Sequence, residues 1–392
     1  MLRATKVRIY PTQEQAEFLI AQFGAVRFAY NKALHIKNHF YRRKGVSLSP
    51  QKDLKPLLAV GKKSRKYDWL KQFDSIALQE AVRNLHGAFT KFFDKSDPAR
   101  YPKFKRKHGR QSSYHCTGIK VLDGAIKLPK IKQPIKAKLH RENEGKLKSI
   151  TVSRSVTGCY YASILVDDGQ EAPAKSAALS ASEIMGVDMG LTHISIKSDG
   201  DKEKNPRFLL RAARNLRRKQ KALSRKKKGS KSRVKARLLV AKCHERVANA
   251  RNDFQHNLSR TLIDENQAVI VETLKVKNML QNARLAKHIA DAAWGELLLK
   301  LEYKAAEAGK HLVKIDQWFA SSKTCSCCGE KRREMPLNIR SWSCTACGAD
   351  HDRDINAALN IKHQGILKLK AEGLSVSADG GKRNSSTMLV AA

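Results

Sequence analysis

Apolar and polar side chains alternate through residues 4–10, ATKVRIY, and this period of two predicts a strand. Thr12 and Gln15 then stand at capping-box spacing, and Phe18, Phe23, Val26 and Tyr30 follow as the buried positions of a helix. Helical patterning continues in patches to about residue 95, most clearly over Ser75–His86. Near residue 98 the pattern changes. Pro98 and Pro102 interrupt it, and short strands follow at 125–129, 149–154 and 160–166, the last two flanking a Thr157-Gly158 hairpin turn. The expectation is a small β domain from 1–11 and 98–168, with residues 12–97 as a helical insertion.

Residues 169–182 are small and polar and read as a linker. Residues 183–197 read as strand, tight turn, strand. Residues 207–247 keep helical spacing on both sides of Gly229-Ser230 and predict a helical hairpin. A strand at 267–272, a long amphipathic helix at about 286–308 and a last strand at 311–315 follow. From 364 to 392 the chain is rich in Gly, Ser and Lys, and the expectation is a disordered tail. No internal repeat is visible.

Charge narrows the function. The chain has 392 residues, of which 77 are Lys or Arg and 36 are Asp or Glu, for a formal net charge of +41. With 41% hydrophobic residues it can build cores, and a compact body of that charge calls for a polyanion. Two runs are the candidate nucleic-acid contacts. One is Lys103, Lys105, Arg106 and Lys107, interleaved with Tyr101 and Phe104; the other is Arg225, Lys226, Lys227 and Lys228 at the turn of the hairpin. A solvated charged face is the plainer explanation of the hairpin, but a face so one-signed repels itself without an anion. No apolar run is long enough to span a bilayer, and the N-terminal residues lack a signal-peptide core, which points to the cytoplasm. No G-x-x-x-x-G-K-[ST] phosphate loop occurs.

Eight cysteines make no disulfide framework. Four of them, Cys325, Cys328, Cys344 and Cys347, follow C-x2-C-x15-C-x2-C with Gly after each pair, the pattern of a structural four-thiolate zinc site. Cys327 is an extra thiol within the first knuckle. The acidic run Asp350, Asp352, Asp354 comes directly after the second, before a helical segment. Asp188 ends an apolar strand between Gly186 and Gly190, and Glu272 ends the strand Ala-Val-Ile-Val. Each acid alone could be a turn, strand-end or helix-start residue. Together, in so basic a chain, they suggest a carboxylate cluster that holds two Mg²⁺ ions, one to activate water and one to stabilise the leaving oxygen of a phosphodiester. These residues by themselves do not choose among Asp350, Asp352 and Asp354.

Over about residues 1–362 the chain resembles the TnpB (OrfB) proteins of bacterial insertion sequences, relatives of type V CRISPR effector nucleases. The likeness rests on Gly186-Val-Asp-Met-Gly190, Val271-Glu272-Thr-Leu274, Ser321–Gly329, Cys344-Thr-Ala-Cys-Gly348 and Asp352–Ile361. It implies a multidomain α/β protein with an RNase H-like (RuvC-type) nuclease domain at 183–320 and 349–363. A zinc-ribbon insert would lie at 321–348, and a small β-barrel (wedge) domain carrying the helical insertion would come first. It also implies that Asp188, Glu272 and Asp354 bind catalytic Mg²⁺ and that one Zn²⁺ is structural. The implied partners are a guide RNA from the transposon end, target double-stranded DNA cut beside a short flanking motif, and a transposase encoded by the same element. A nuclease-inactive RNA-guided repressor and a DNA-joining transposase are the competing readings. The first would be expected to lack acids of the triad, and the zinc insert between Glu272 and Asp354 speaks against the second.

Overall fold

The structure, a computed structural model, describes residues 1–107, 112–141, 144–336 and 338–378. It divides into two compact units between Glu171 and Ala172.

The first unit begins with β1 (Leu2–Tyr10), whose alternation turns Val7 and Ile9 inward. At its end Thr12 Oγ1 accepts from the Gln15 N–H and Gln15 Oε1 accepts from the Thr12 N–H, so the capping box opens α1 (Gln13–Lys44). A π-helical turn at Pro50–Leu54, α2 (Lys55–Gly61), a 3₁₀ turn at Arg65–Gln72 and α3 (Ser75–Phe93) complete the helical part. The strands β2 (Ser112–Cys116), β3 (Lys120–Leu122), β4 (Ala125–Lys127), β5 (Ile135–Lys138), β6 (Lys146–Arg154) and β7 (Tyr160–Asp167) follow. They form one antiparallel sheet in the order β2-β6-β7-β1-β5-β4-β3. The first strand of the chain is thus its centre, and Leu19, Phe23, Leu78 and Leu85 of the helices share one core with Ile126, Ile150 and Ile164 of the sheet.

The second unit contains β8 (Ala178–Ser180), β9 (Ile184–Asp188), β10 (His193–Lys197), β11 (Lys202–Lys204), α4 (Phe208–Ser224), α5 (Lys231–Glu265) and β12 (Ala268–Val271). After these come α6 (Val276–Met279), α7 (Ala286–Ala292), α8 (Trp294–Glu307), β13 (His311–Lys314), β14 (Ser341–Ser343), β15 (Asp350–Asp352), α9 (Arg353–Ala371) and β16 (Ser375–Ser377). The main sheet has the order β11-β10-β9-β12-β13, with β9, β12 and β13 parallel and β10 and β11 antiparallel. All four residues of β12 are buried, as expected of an unbroken apolar strand covered on both faces. Val269 and Val271 pack with Leu262 of α5 and Leu297 and Leu301 of α8. Ala268 and Ile270 face the other way, toward Ile361 and Leu369 of α9.

Two glycines let α9 lie directly on this sheet. A Cβ on Gly186 of β9 would stand 2.2 Å from the Ala358 carbonyl oxygen and 2.7 Å from the Lys362 nitrogen. A Cβ on Gly365 of α9 would stand 2.4 Å from the Ile270 side chain. Gly186→Ala therefore forces strand and helix apart against backbone that cannot yield. The expected loss is about 2–3 kcal/mol of stability, read as a lower midpoint in thermal unfolding. An unchanged midpoint would contradict this packing.

Two expectations are corrected. The helix at 286–308 is two helices, because Ala293 takes a left-handed φ of 51°. Buried Gln255 of α5 holds the break by donating to the Ala292 and Ala293 carbonyls. The chain from 364 is structured as far as 378: α9 continues to Ala371, and β16 pairs in parallel with β8. The segment read as a linker thus supplies a strand for the segment read as a tail. Residues 379–392, the rest of that tail, lie outside the described residues.

Candidate functional site

Asp188 is the last residue of β9, and Glu272 follows the last residue of β12, its parallel neighbour. The two acids leave the sheet at the same end. Asp354 lies in the first turn of α9, the helix that Gly186 admits onto β9. All three are half-buried. The Asp188 carboxyl is pushed up to about 8, first by burial and then by the negative charges of Glu272 and Asp354. The Met189 N–H and the Arg353 guanidinium oppose that rise. Burial also raises Glu272, while the Ser321 hydroxyl, donating to Glu272 Oε1 at 2.7 Å, draws it back. The carboxylate atoms are not as tightly gathered as the thiols described below, which close to within 4.8 Å of one another. A carboxyl raised by burial and then by two acidic neighbours marks an oxygen-rich donor set that a cation would neutralise, so these residues fit hard divalent metal.

Local hydrogen bonds separate the three acids that the sequence left open. Asp350 accepts from Ser343 across the β14–β15 pair. Asp352 is the N-cap of α9, taking the Asp354 and Ile355 N–H groups at 3.0 Å each, and it also pairs with Lys202 at 2.7 Å. Asp354 serves no cap and is the one whose charge reaches Asp188. It pairs with the exposed Arg340 guanidinium at 3.4 Å.

The four thiols converge. Cys325 and Cys347 sulfurs are 3.7 Å apart, and those of Cys328 and Cys344 are 3.6 Å apart. Tetrahedral zinc with bonds of about 2.3 Å requires sulfurs about 3.8 Å apart, so the site fits that metal. The two knuckles are built alike: Gly329 N–H donates to the Cys325 carbonyl and Gly348 N–H to the Cys344 carbonyl, each at 2.9 Å. Gly329 and Gly348 have φ of 80° and 73°, the left-handed region where glycine is least strained. Cys327 is exposed and lies instead near Cys325 and His351. His351, packed at a tilt against Trp342, places Nε2 3.0 Å from Cys325 Sγ, a position from which it can hydrogen-bond the thiolate.

Sequence reasoning missed the residues that join these parts. Asn356 and Asn360, four apart on one face of α9, bind the backbone of the knuckle loop: Asn356 donates to the Thr324 carbonyl and accepts from Ser326, and Asn360 donates to the Ser321 and Thr324 carbonyls. Ser321 in turn holds Glu272. Arg353 is buried and donates to the Pro336 and Ile339 carbonyls of the insert. The signal was a pair of asparagines at i, i+4 inside the otherwise apolar stretch Ile355–Ile361.

The basic candidates fall in separate units. Arg225–Lys228 form the exposed turn between α4 and α5. In the first unit, Lys103, Arg106 and Lys107 are exposed, while the Lys105 ammonium sits over the Tyr30 ring at 4.2 Å. Asn31 of α1 anchors this run through both the N–H and the carbonyl of Lys105. Residues 108–110, which continue the basic run, lie outside the described residues. Beside it, Arg27, Asn31, Lys32 and His35 line a groove of about 420 Å³ on α1. No helix among the described residues is long and apolar enough to cross a membrane.

Three family models match the chain: a helix-turn-helix domain of the OrfB/IS605 type over 1–45, OrfB_IS605, described as "Probable transposase", over 165–283, and a Cas12f1-like TNB domain over 294–361. Residues 1–45 fold here as a strand and one continuous helix. A Streptomyces pristinaespiralis protein, provisionally named an RNA-guided DNA endonuclease, is 42% identical over 383 residues, covering 96% of this chain and 91% of its own. InsQ of Escherichia coli K12, provisionally named the same way, is 27% identical over 377 residues, covering 92% of this chain and 91% of its own. Among solved structures, a Cas12f1–sgRNA–target DNA complex matches with a TM-score of 0.54 and 15% identity over 90% of this chain and 83% of that one, a likeness of fold.

Proposed function

The chain belongs to the TnpB (OrfB, IS605-type) family, and we propose that it is an RNA-guided DNA endonuclease that cuts double-stranded DNA beside a short flanking motif. The observation that carries this reading is the meeting of three carboxyls from β9, β12 and α9 at one end of the mixed sheet, close enough for Asp188 to feel both neighbours. It supports an RNase H-like, RuvC-type nuclease domain, with the seven-stranded sheet of the first unit as the wedge and the helices of residues 12–97 as its insertion.

Asp188, Glu272 and Asp354 would hold two Mg²⁺ ions. When bound, these supply an activated water and charge stabilisation for the leaving oxygen of the phosphodiester. Ser321 fixes the rotamer of Glu272, and Asp352, by capping α9, leaves Asp354 unengaged by the helix end. Cys325, Cys328, Cys344 and Cys347 would hold one Zn²⁺ with every position filled, so that metal folds the insert and performs no chemistry. Arg225–Lys228 and the Lys103–Lys107 run would contact phosphates of guide RNA and DNA, while base pairing with the guide reads sequence. The site of action would be the cytoplasm, on nucleoid DNA, with the element's own transposase as a genetic partner. Neither competing reading gains an observation: a repressor does not need the three acids together, and the four-thiol insert between Glu272 and Asp354 speaks against a DNA-joining enzyme.

The test is to purify the protein expressed with the DNA that flanks its gene and to sequence the RNA that remains bound. A discrete RNA with a variable 3′ segment is expected, and with Mg²⁺ the complex should cut DNA matching that segment. Random cellular RNA, or no cutting of matched DNA, would overturn the proposal.

A further inference from the structure

Trp318 has the highest exposure of the large apolar side chains that reach the surface, 79%. Such exposure of an indole costs hydration free energy that folding ordinarily recovers by burial. Its neighbour Phe319 shows that burial was available, because Phe319 packs against the core of Ile270, Val313 and Ile315. The loop therefore turns one aromatic in and holds the other out.

That loop is tied by side-chain hydrogen bonds and leaves the sheet at the same end as Asp188 and Glu272. β12 and β13 run parallel with Val271 opposite Lys314, so residues 272–275 and 315–318 leave the sheet side by side. Thr273 Oγ1 donates to the Ile315 carbonyl at 2.7 Å, joining the two segments. Asp316 accepts from the Trp318 N–H at 2.7 Å and closes the turn. Ser321, three residues on, is the residue that holds Glu272. Lys275, three residues after Glu272, places its ammonium 5.3 Å from the Trp318 ring centroid. The result is an indole face and a cation at the sheet end where Asp188 and Glu272 also lie.

An aromatic face next to a positive charge is the means by which proteins hold unpaired nucleotides: the base stacks and the phosphate meets the cation. We propose that Trp318 and Lys275 form a stacking platform that holds an unpaired nucleotide of the DNA strand beside the Asp188–Glu272–Asp354 site. Trp318 is then a substrate-binding residue, sequence-tolerant because every base has a π-face. The inference rests on the nuclease reading above, and its test is separable from it.

The first arm needs no cutting. The full-length protein without divalent metal is titrated with single-stranded oligothymidylate of about eight nucleotides, and with an abasic oligomer of equal length and charge. The difference in emission between wild type and Trp318→Phe isolates Trp318. Quenching of that difference by oligothymidylate, and not by the abasic oligomer, is expected. No quenching, or equal quenching by both, would overturn the platform, whatever the nuclease does. In the second arm, with the guide-loaded complex, Trp318→Ala should lower kcat/KM for DNA cleavage about tenfold through KM, with Trp318→Phe within a few-fold of wild type. Wild-type rates in Trp318→Ala would overturn the proposal. Absence of cutting by wild type, with quenching retained, would instead sink the guided-nuclease reading and leave the platform standing.

Discussion

Asp188→Asn is expected to lower Mg²⁺-dependent cleavage by at least about a thousandfold, equivalent to about 4 kcal/mol of barrier, while guide RNA binding changes little. The residue adds a third acid where two others already crowd, a cost that bound metal would offset. The same substitution should stabilise the metal-free protein. Asp188 has a folded pKa raised from 3.8 to about 8. Below about pH 4 the carboxyl is neutral in folded and unfolded chains alike. Between about pH 4 and pH 8 the unfolded chain releases a proton that the folded chain keeps, so stability falls as pH rises through that window. At pH 7 the loss is at most about 4 kcal/mol, and less to the extent that the side chain still meets solvent. Thermal melts in chelator should show wild type weakening over this range and the asparagine variant holding level. Added Mg²⁺ should raise the wild-type midpoint and leave the variant's nearly unchanged. A variant that cuts at wild-type rate removes Asp188 from the mechanism.

Local order was readable where a short segment fixes its own structure. The Thr12 and Gln15 capping box and the hairpin around Thr157-Gly158 need only neighbours in sequence. The zinc-type knuckles are similar, since two residues between thiols and a glycine after them suffice to shape each turn. What could not be read depends on distant backbone. Nothing local in Gly186 says that Ala358 will press on it, yet that contact brings α9 and Asp354 to β9. The break at Ala293 is decided by Gln255 reaching across from α5. The segment after 364 misled because Lys, Gly and Ser dominate its composition. Beneath them Ile361, Ile366 and Leu369 keep helical spacing, and Gly365 is there to fit Ile270. Composition described the solvent face of a helix whose other face is core.

The choice of Asp354 over Asp350 and Asp352 illustrates the same division. Sequence likeness selected it, and the hydrogen bonds supply a physical reason: the other two acids are occupied, one in the β14–β15 pair and one as a helix cap. The position of Asp354 is therefore inherited from whatever holds that pair and that cap. The pair ties β15 to β14 of the insert, and the cap follows directly from β15.

Replacing Cys344 and Cys347 together by Ser should for this reason abolish an activity in which neither sulfur takes part. Zinc content should fall from one per chain to none, because two oxygens replace half of the thiolate set. The insert has little else to fold it: beyond the thiols, its core among the described residues is Met335 and Trp342 with Ile339 against them. A structural zinc contributes apparent binding free energy on the order of 10 kcal/mol, far more than so small a core. Once the insert opens, the β14–β15 pairing that leads into Asp352 is lost, along with the Pro336 and Ile339 carbonyls that hold Arg353. Asp354 then loses its fixed approach to Asp188, and cleavage should fall by at least about a hundredfold, since small misplacement of a reacting group is that costly. The rest of α9 should stay on the sheet, because Gly186, Gly365 and Leu369 do not depend on the insert. Guide RNA binding should accordingly outlast cleavage. Cys327→Ser should retain zinc and activity, its thiol being outside the four-sulfur set. Zinc retained by the double variant would shift the site toward Cys325, Cys327 and His351, and full cleavage without zinc would mean that the helix alone, not the insert, positions Asp354.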